Sequence, residues 1–208
     1  MNKGRLEAFS DGVFSIVMTL LIFDIKVPVI PEPVSNIELW RQFLLLWPLL
    51  SVYFLSFAVL SVLWINHHFL FHSFAKSVDR KLNLLNLTYL AFVAFVPFSA
   101  HFIGTYHTHQ PAAIIYGLNI FIIAALSSRM VTYMKRNKQE LLNEDISQRL
   151  INQARFRSRL SLFCYVAGLC ISFFNVPVTL LFYAFPVIFN IIPGSLDLAE
   201  RIFRFSLD

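Results

Sequence analysis

Apolar residues run along this chain in long continuous stretches rather than in strict alternation. Six stretches stand out, at residues 9–27, 44–71, 84–103, 112–134, 160–174 and 176–192. The first four are each long enough to cross the roughly 30 Å hydrocarbon layer as a helix. The last two belong to one charge-free run, residues 160–192, which as a single helix would be about 50 Å long. Asn175 and Pro177 interrupt it midway, and a proline inside a helix removes a hydrogen bond and crowds the preceding turn. A tight hairpin of two short spans is therefore predicted, its first helix reaching back toward Arg155. A membrane β-barrel would need many short alternating segments instead. The pattern predicts an all-α integral membrane protein, with a single six-helix transmembrane domain over residues 1–208.

Composition agrees with that class. Of 208 residues, 57% are hydrophobic and 14% charged, against about 25% charged in soluble domains. The first apolar run is too long for a cleavable signal and no small-residue cleavage site follows it, so it is expected to be retained. Cys164 and Cys170 lie six positions apart in one apolar run, off a common helix face, and no disulfide between them is expected.

The net charge of +5 matters less than its placement. With the N-terminus in the cytosol, inside segments hold Lys3, Arg5, Lys76, Arg80, Lys81, Lys135, Arg136, Lys138, Arg149, Arg155, Arg157, Arg159, Arg201 and Arg204, and outside segments only Lys26 and Arg41. This asymmetry orients both termini to the cytosol. Residues 135–159 form a basic stretch in which Leu141, Leu142, Ile146, Leu150 and Ile151 recur at helical spacing. It reads either as an amphipathic helix on the membrane or a neighbouring subunit, or as a solvated connector. Residues 196–205 are likewise amphipathic, with Arg201 and Arg204 placed near anionic lipid.

The first apolar segment carries Ser10, Asp11, Ser15 and Thr19. An ionisable group within a membrane segment is costly and normally faces protein or a water-filled path. At 100° per residue Phe9, Gly12, Ile16, Thr19, Leu20 and Phe23 fall on one side. Two readings stay open: close helix packing through Gly12 and Ser15, with Thr19 bonded back to its own helix, or a pore lining. At the depth of Asp11 the second span carries Trp64, Asn66, His67 and His68, and the third begins with Asn83 and Asn86. Polar groups from three helices meet there in one leaflet, as a clasp that fixes the first helix. Alternatively, Ser10 and Asp11 act as a helix cap.

His68 and His72 are one helical turn apart, and His107 and His109 share a loop, but neither pair has a third ligand at clear spacing, so no metal site is expected. No nucleophile motif, phosphate-cradling glycine loop or zinc-protease signature occurs, and an enzyme is disfavoured.

The run Arg5-x-x-x-Phe9-Ser10-Asp11-Gly12-Val-Phe-Ser15-Ile16-x-x-Thr19-Leu20 resembles the first-helix signature of the transmembrane protein 175 family, potassium-permeable channels of endolysosomes and their prokaryotic relatives. The six-span layout, the length and Trp64-x-x-His67-His68 accompany it. The resemblance implies a fold of six helices per repeat, a homotetramer for a one-repeat chain, and first helices lining a central pore in a prokaryotic plasma membrane. It implies that Ile16 forms a narrow aliphatic constriction, that Leu20 and Phe23 continue it outward, and that Thr19 bears on selectivity. It assigns Arg5, Ser10 and Asp11 to a polar cluster, with His67 and His68 as partners. The partners expected are further copies of the chain, membrane lipid, and potassium or other monovalent cations. No nucleic acid and no cofactor is expected beyond the permeating ion. A hydrophobic neck of this kind gates by dewetting, and potassium, which sheds water more cheaply than sodium, is modestly preferred. The rival readings are a proton-coupled secondary transporter using Asp11 and the histidines of the second span, and a membrane scaffold without flux.

Overall fold

The computed structural model describes residues 2–143, 146–192 and 194–196. They form nine α-helices in chain order: α1 Lys3–Leu20, α2 Asn36–Leu45, α3 Trp47–Phe69, α4 Arg80–Ala94, α5 Val96–Thr105, α6 Gln110–Arg136, α7 Lys138–Leu141, α8 Gln148–Ile171 and α9 Val176–Ile191. A short 3₁₀ turn, Leu21–Asp24, prolongs α1, and a π turn, Leu70–Phe74, prolongs α3. Among the described residues, four stretches are long and apolar enough to cross a membrane: Lys3–Phe23, Trp47–Phe74, Arg80–Thr105 and Gln110–Arg136. Val176–Ile191 is apolar but shorter.

The apolar segments read from the sequence map onto these elements with shifted ends. The second segment begins in α2, because Pro48 opens a new helix; a proline fits the first turn, where its missing N–H has no partner to lose. Pro97 likewise stands in the first turn of α5 and breaks the third segment into α4 and α5, which continue in one direction with a kink. Residues 160–192 form the expected hairpin. Its turn ends at Asn175, whose side chain accepts a hydrogen bond from Val178 N at 3.1 Å and caps α9. The first arm, α8, starts at Gln148, well before Arg155, because Ser147 caps it there and accepts from Leu150 N.

Residues 135–159 are not one amphipathic helix. α6 ends at Arg136, α7 is a single turn, and the chain then folds back on the π turn after α3. Lys76 N donates to Leu141 O at 2.8 Å, Asn143 N to Phe74 O at 2.9 Å, and the Asn143 side chain to Ser73 O at 2.6 Å. Leu141, Leu142 and Ile151 are buried, whereas Leu150 is exposed. The helical spacing was accidental, since three separate elements supply its apolar residues. Of the amphipathic tail, residues 197–205 lie outside the described residues.

α6 is the central helix, packed by α8, α4, α5 and α9, while α1 lies against α3 and α4. The tightest approach is made by Tyr183 of α9. Its hydroxyl donates to Ala113 O at 3.1 Å, and its ring occupies space that side chains at Gly117 and Gly168 would need. A Cβ at Gly117 would come within 1.9 Å of the Tyr183 hydroxyl, so only glycine admits the ring between α6 and α8.

Candidate functional site

α1 begins at Lys3, where Asn2 Oδ1 accepts from Gly4 N at 2.9 Å. Ser10 and Asp11 therefore sit in the body of the helix and do not cap it. Leu6, Ser10, Phe14 and Val17 make its buried face, recurring at the three- and four-residue steps that keep one side of a helix toward neighbours. Its start is anchored by Lys3, whose ammonium donates to His72 O at 3.0 Å and Ala75 O at 2.8 Å. These carbonyls close the helical run of α3, where cations are favoured.

One directed chain of hydrogen bonds joins α3, α4 and α1. His67 Nε2 lies 2.7 Å from Asn86 Oδ1, Asn86 Nδ2 donates to Ser10 Oγ at 3.1 Å, and the Ser10 hydroxyl donates to Leu6 O at 2.9 Å. Because the Asn86 nitrogen is committed to Ser10, its oxygen accepts, and His67 donates from Nε2. All three side chains are buried. The imidazole is held among Phe71, Tyr89 and Phe14, with ring centroids 4.7, 5.4 and 5.7 Å away. Asp11 is half-buried and makes a separate link: the indole N–H of Trp64 donates to its Oδ1 at 2.8 Å.

Of the five polar residues singled out in the sequence, Ser10 and His67 thus meet through Asn86, and Asp11 meets α3 through Trp64. Arg5 is exposed, and among the described residues no hydrogen bond ties it to this network. His68 is exposed as well. It stacks on His72 at 5.2 Å, with Trp64 on its other neighbour contact at 5.8 Å. Among the described residues no group of three His, Cys, Asp or Glu side chains could hold a metal ion. Asn86 and Trp64 carry the contacts, and their position at the depth of Asp11 was the signal for them. Tyr89, which stacks on His67, gave none, since a tyrosine on an apolar helix reads as core.

The opposite face of α1 is bare. Ile16 is 60% exposed, Leu20 45% and Phe23 73%. Arg5, Gly12, Ser15 and Thr19 are exposed on the same side. Thr19 turns its proton inward, its hydroxyl donating to Ile16 O at 2.8 Å and Ser15 O at 3.1 Å, and its oxygen lone pairs remain on the open side.

Comparison with known proteins identifies the family. Residues 5–97 match the sequence model of the family described as endosomal/lysosomal potassium channel TMEM175. A potassium channel of Streptomyces collinus is 34% identical over 185 residues, covering 86% of this chain and 87% of that protein. The chain belongs to the TMEM175 family. A second relative, a potassium channel of a Chryseobacterium species, is 31% identical over 195 residues, covering 94% of this chain and 95% of that one. The crystal structure described as a lysosomal potassium-selective channel TMEM175 homologue, from Chamaesiphon minutus, superposes with a TM-score of 0.76 at 29% identity, over 90% of this chain and 95% of that chain. The family match begins at Arg5 and takes in α1, α3 and α4, the three helices that the Ser10–Asn86–His67 chain joins. This protein is thus a membrane protein of a channel family.

Proposed function

We propose that the protein is a potassium-permeable cation channel, a homotetramer whose four α1 helices surround the conduction axis with their bare faces. The observation that carries this reading is the exposed stripe on α1. A helix clamped along one side by buried hydrogen bonds, on a chain of this family, leaves Ile16, Leu20 and Phe23 uncovered on the other. Four such faces brought together give a hydrophobic neck at Ile16, Leu20 and Phe23. Necks of this kind pass ions only when wet and close by dewetting. Thr19 lies within the stripe and presents hydroxyl lone pairs there, the natural group to tune ion preference. The Ser10–Asn86–His67 chain and the Asp11–Trp64 bond fix the rotation of α1, and with it which residues face the axis. Arg5 and His68 flank this clamp at the same end of α1.

In this reading the subunit crosses the membrane six times, with α8 and α9 as the short fifth and sixth spans. Both termini are cytosolic, following the lysine and arginine asymmetry, and the host membrane is the plasma membrane of a prokaryote. The proton-coupled alternative has less support. The carboxylate of Asp11 meets an indole N–H, which only donates and relays nothing, and the chain from His67 ends on a backbone carbonyl.

Recording from purified protein in planar bilayers, with potassium on one side and sodium on the other, tests the proposal. Discrete openings with a reversal potential toward that of potassium are expected. Electrically silent but folded protein that shows slow flux after a pH jump in liposomes would replace the channel with a carrier.

A further inference from the structure

Away from α1, a cleft opens between α3, α6, α8 and α9. Its volume is ≈ 90 Å³, and it is partly open to its surroundings. One wall is apolar, with Val59, Val62, Phe69, Val131 and Val187, while Asn66, Arg157, Ser158 and Asn190 supply polar groups. Among the described residues no aspartate or glutamate lines it.

Arg157 is the unusual member. It sits in the third turn of α8, just before the apolar run that starts at Leu160, and is half-buried. Its Nη1 donates to Asn190 Oδ1 at 3.2 Å, and the Asn190 amide is in turn held by donating to Pro186 O at 2.7 Å. A guanidinium has five N–H donors in a fixed fork, and among the described residues Arg157 meets a neutral amide oxygen and no carboxylate. The ion pair found among the described residues, Arg41 with Glu38, lies on another helix. Beside Arg157, the Ser158 hydroxyl is buried without a hydrogen-bond partner among the described residues. A cation and an unfilled hydroxyl at the rim of an apolar cleft are costly unless an anion completes them.

We propose that this cleft is a binding site for an anionic phospholipid, whose phosphate sits on Arg157 and Ser158 and whose acyl chain lies along the valine and phenylalanine wall. Charge complementarity selects the anionic headgroup, since arginine pairs with phosphate through two parallel N–H bonds. Depth selects a lipid over a soluble anion. Arg157 precedes the charge-free run by one turn, and Asn190 is the penultimate residue of α9, so both stand where headgroups meet hydrocarbon on the side assigned to the cytosol. The site rests on the membrane placement proposed above but not on conduction.

The test is native mass spectrometry of the full chain purified in neutral detergent, titrated with phosphatidylglycerol, with phosphatidylcholine, and with inorganic phosphate alone. Wild type is expected to retain phosphatidylglycerol in preference to phosphatidylcholine. Arg157→Gln should lower that occupancy roughly tenfold or more, the scale of a hydrogen bond to a charged group. Arg159→Gln, which removes the same charge from an exposed neighbour outside the cleft, should leave it unchanged. Ala154→Leu, which fills the cleft without touching the charge, should also lower it, and decides the matter if Arg157→Gln does not fold. Equal retention of both lipids, undiminished retention in the folded variants, or an equal effect of Arg159→Gln overturns the proposal. Phosphate binding as tight as lipid binding would make the site one for a free anion and overturn it too. Ion flux measured on the same preparations keeps the two proposals separate, because lipid retention is read whether or not the protein conducts.

Discussion

The indole N–H of Trp64 on α3 donates to Asp11 Oδ1 on α1 at 2.8 Å, so a carboxylate in the body of the first helix is tied to its neighbour by a tryptophan. The bond fixes the level of the middle of α1 relative to the C-terminal part of α3. Trp64→Phe keeps the ring and removes the donor. Because both partners remain partly solvent-accessible, the cost is expected to be about 1 kcal/mol. Thermal unfolding in detergent checks it, and Asp11→Asn, which keeps the acceptor oxygen, should cost less.

Asn86 is the hinge pin of the buried chain. Asn86→Leu takes the acceptor from His67 and one of two partners from Ser10, whose hydroxyl keeps Leu6 O, and leaves the buried imidazole N–H unmatched, at a cost of roughly 1–3 kcal/mol. Ser10→Ala removes only one end and is expected to cost about 1 kcal/mol. A double-mutant cycle between positions 10 and 86 should give a coupling clearly different from zero, and strict additivity would mean that the two side chains act independently.

On the bare face of α1, substitutions should change conduction and leave stability nearly untouched, because Ile16 and Thr19 bury little in the subunit. Ile16→Asn is expected to ease wetting of the neck, raising ion current and lowering the preference for potassium over sodium. Thr19→Val, which keeps the shape and removes the oxygen, should lower that preference without stopping current. Bilayer recordings of both variants check this, and unchanged conductance and selectivity in Ile16→Asn would take Ile16 out of the constriction.

Gly117 tests the packing that carries α9. Gly117→Val puts carbon atoms where the Tyr183 hydroxyl lies, within 1.9 Å of it for the Cβ alone. A loss of about 3 kcal/mol or more is expected, at the upper end of overpacking costs, with poor recovery of folded protein in detergent. Tyr183→Phe in the Gly117→Val background should restore part of the loss by removing the clashing oxygen.

Much of this architecture was written in the order of residues. Continuous apolar runs, broken at Pro177, specify a helical membrane protein, because lipid offers no partner to backbone polar groups and each span must satisfy its own, whereas the helix breaks at Pro48 and Pro97 emerged only in the fold. The hairpin at Asn175 and the family of the chain were legible for similarly local reasons: a capping side chain, a proline in the first turn, and a short signature around Phe9-Ser10-Asp11. The depth of Asp11, Trp64, His67 and Asn86 was legible too, since rise per residue fixes it once the spans are drawn.

Pairing was not legible. Depth placed Asp11, Trp64, His67, His68 and Asn86 at one level, but only the rotation of each helix decided that Asn86 takes Ser10 and His67, that Trp64 takes Asp11, and that His68 turns outward to stack on His72. Helix rotation is set by the sum of many side-chain contacts along the whole interface, of which Phe14 on His67 and Lys3 on the end of α3 are examples. The stretch 135–159 shows the opposite error, a helical spacing shared by elements that the tertiary fold separates. The sequence by itself determined the helical class, the long apolar stretches and the common level of the polar groups on α1, α3 and α4. The tertiary structure decided which groups touch and which face of α1 is left bare, because those depend on helix rotation and long-range packing that no local pattern encodes.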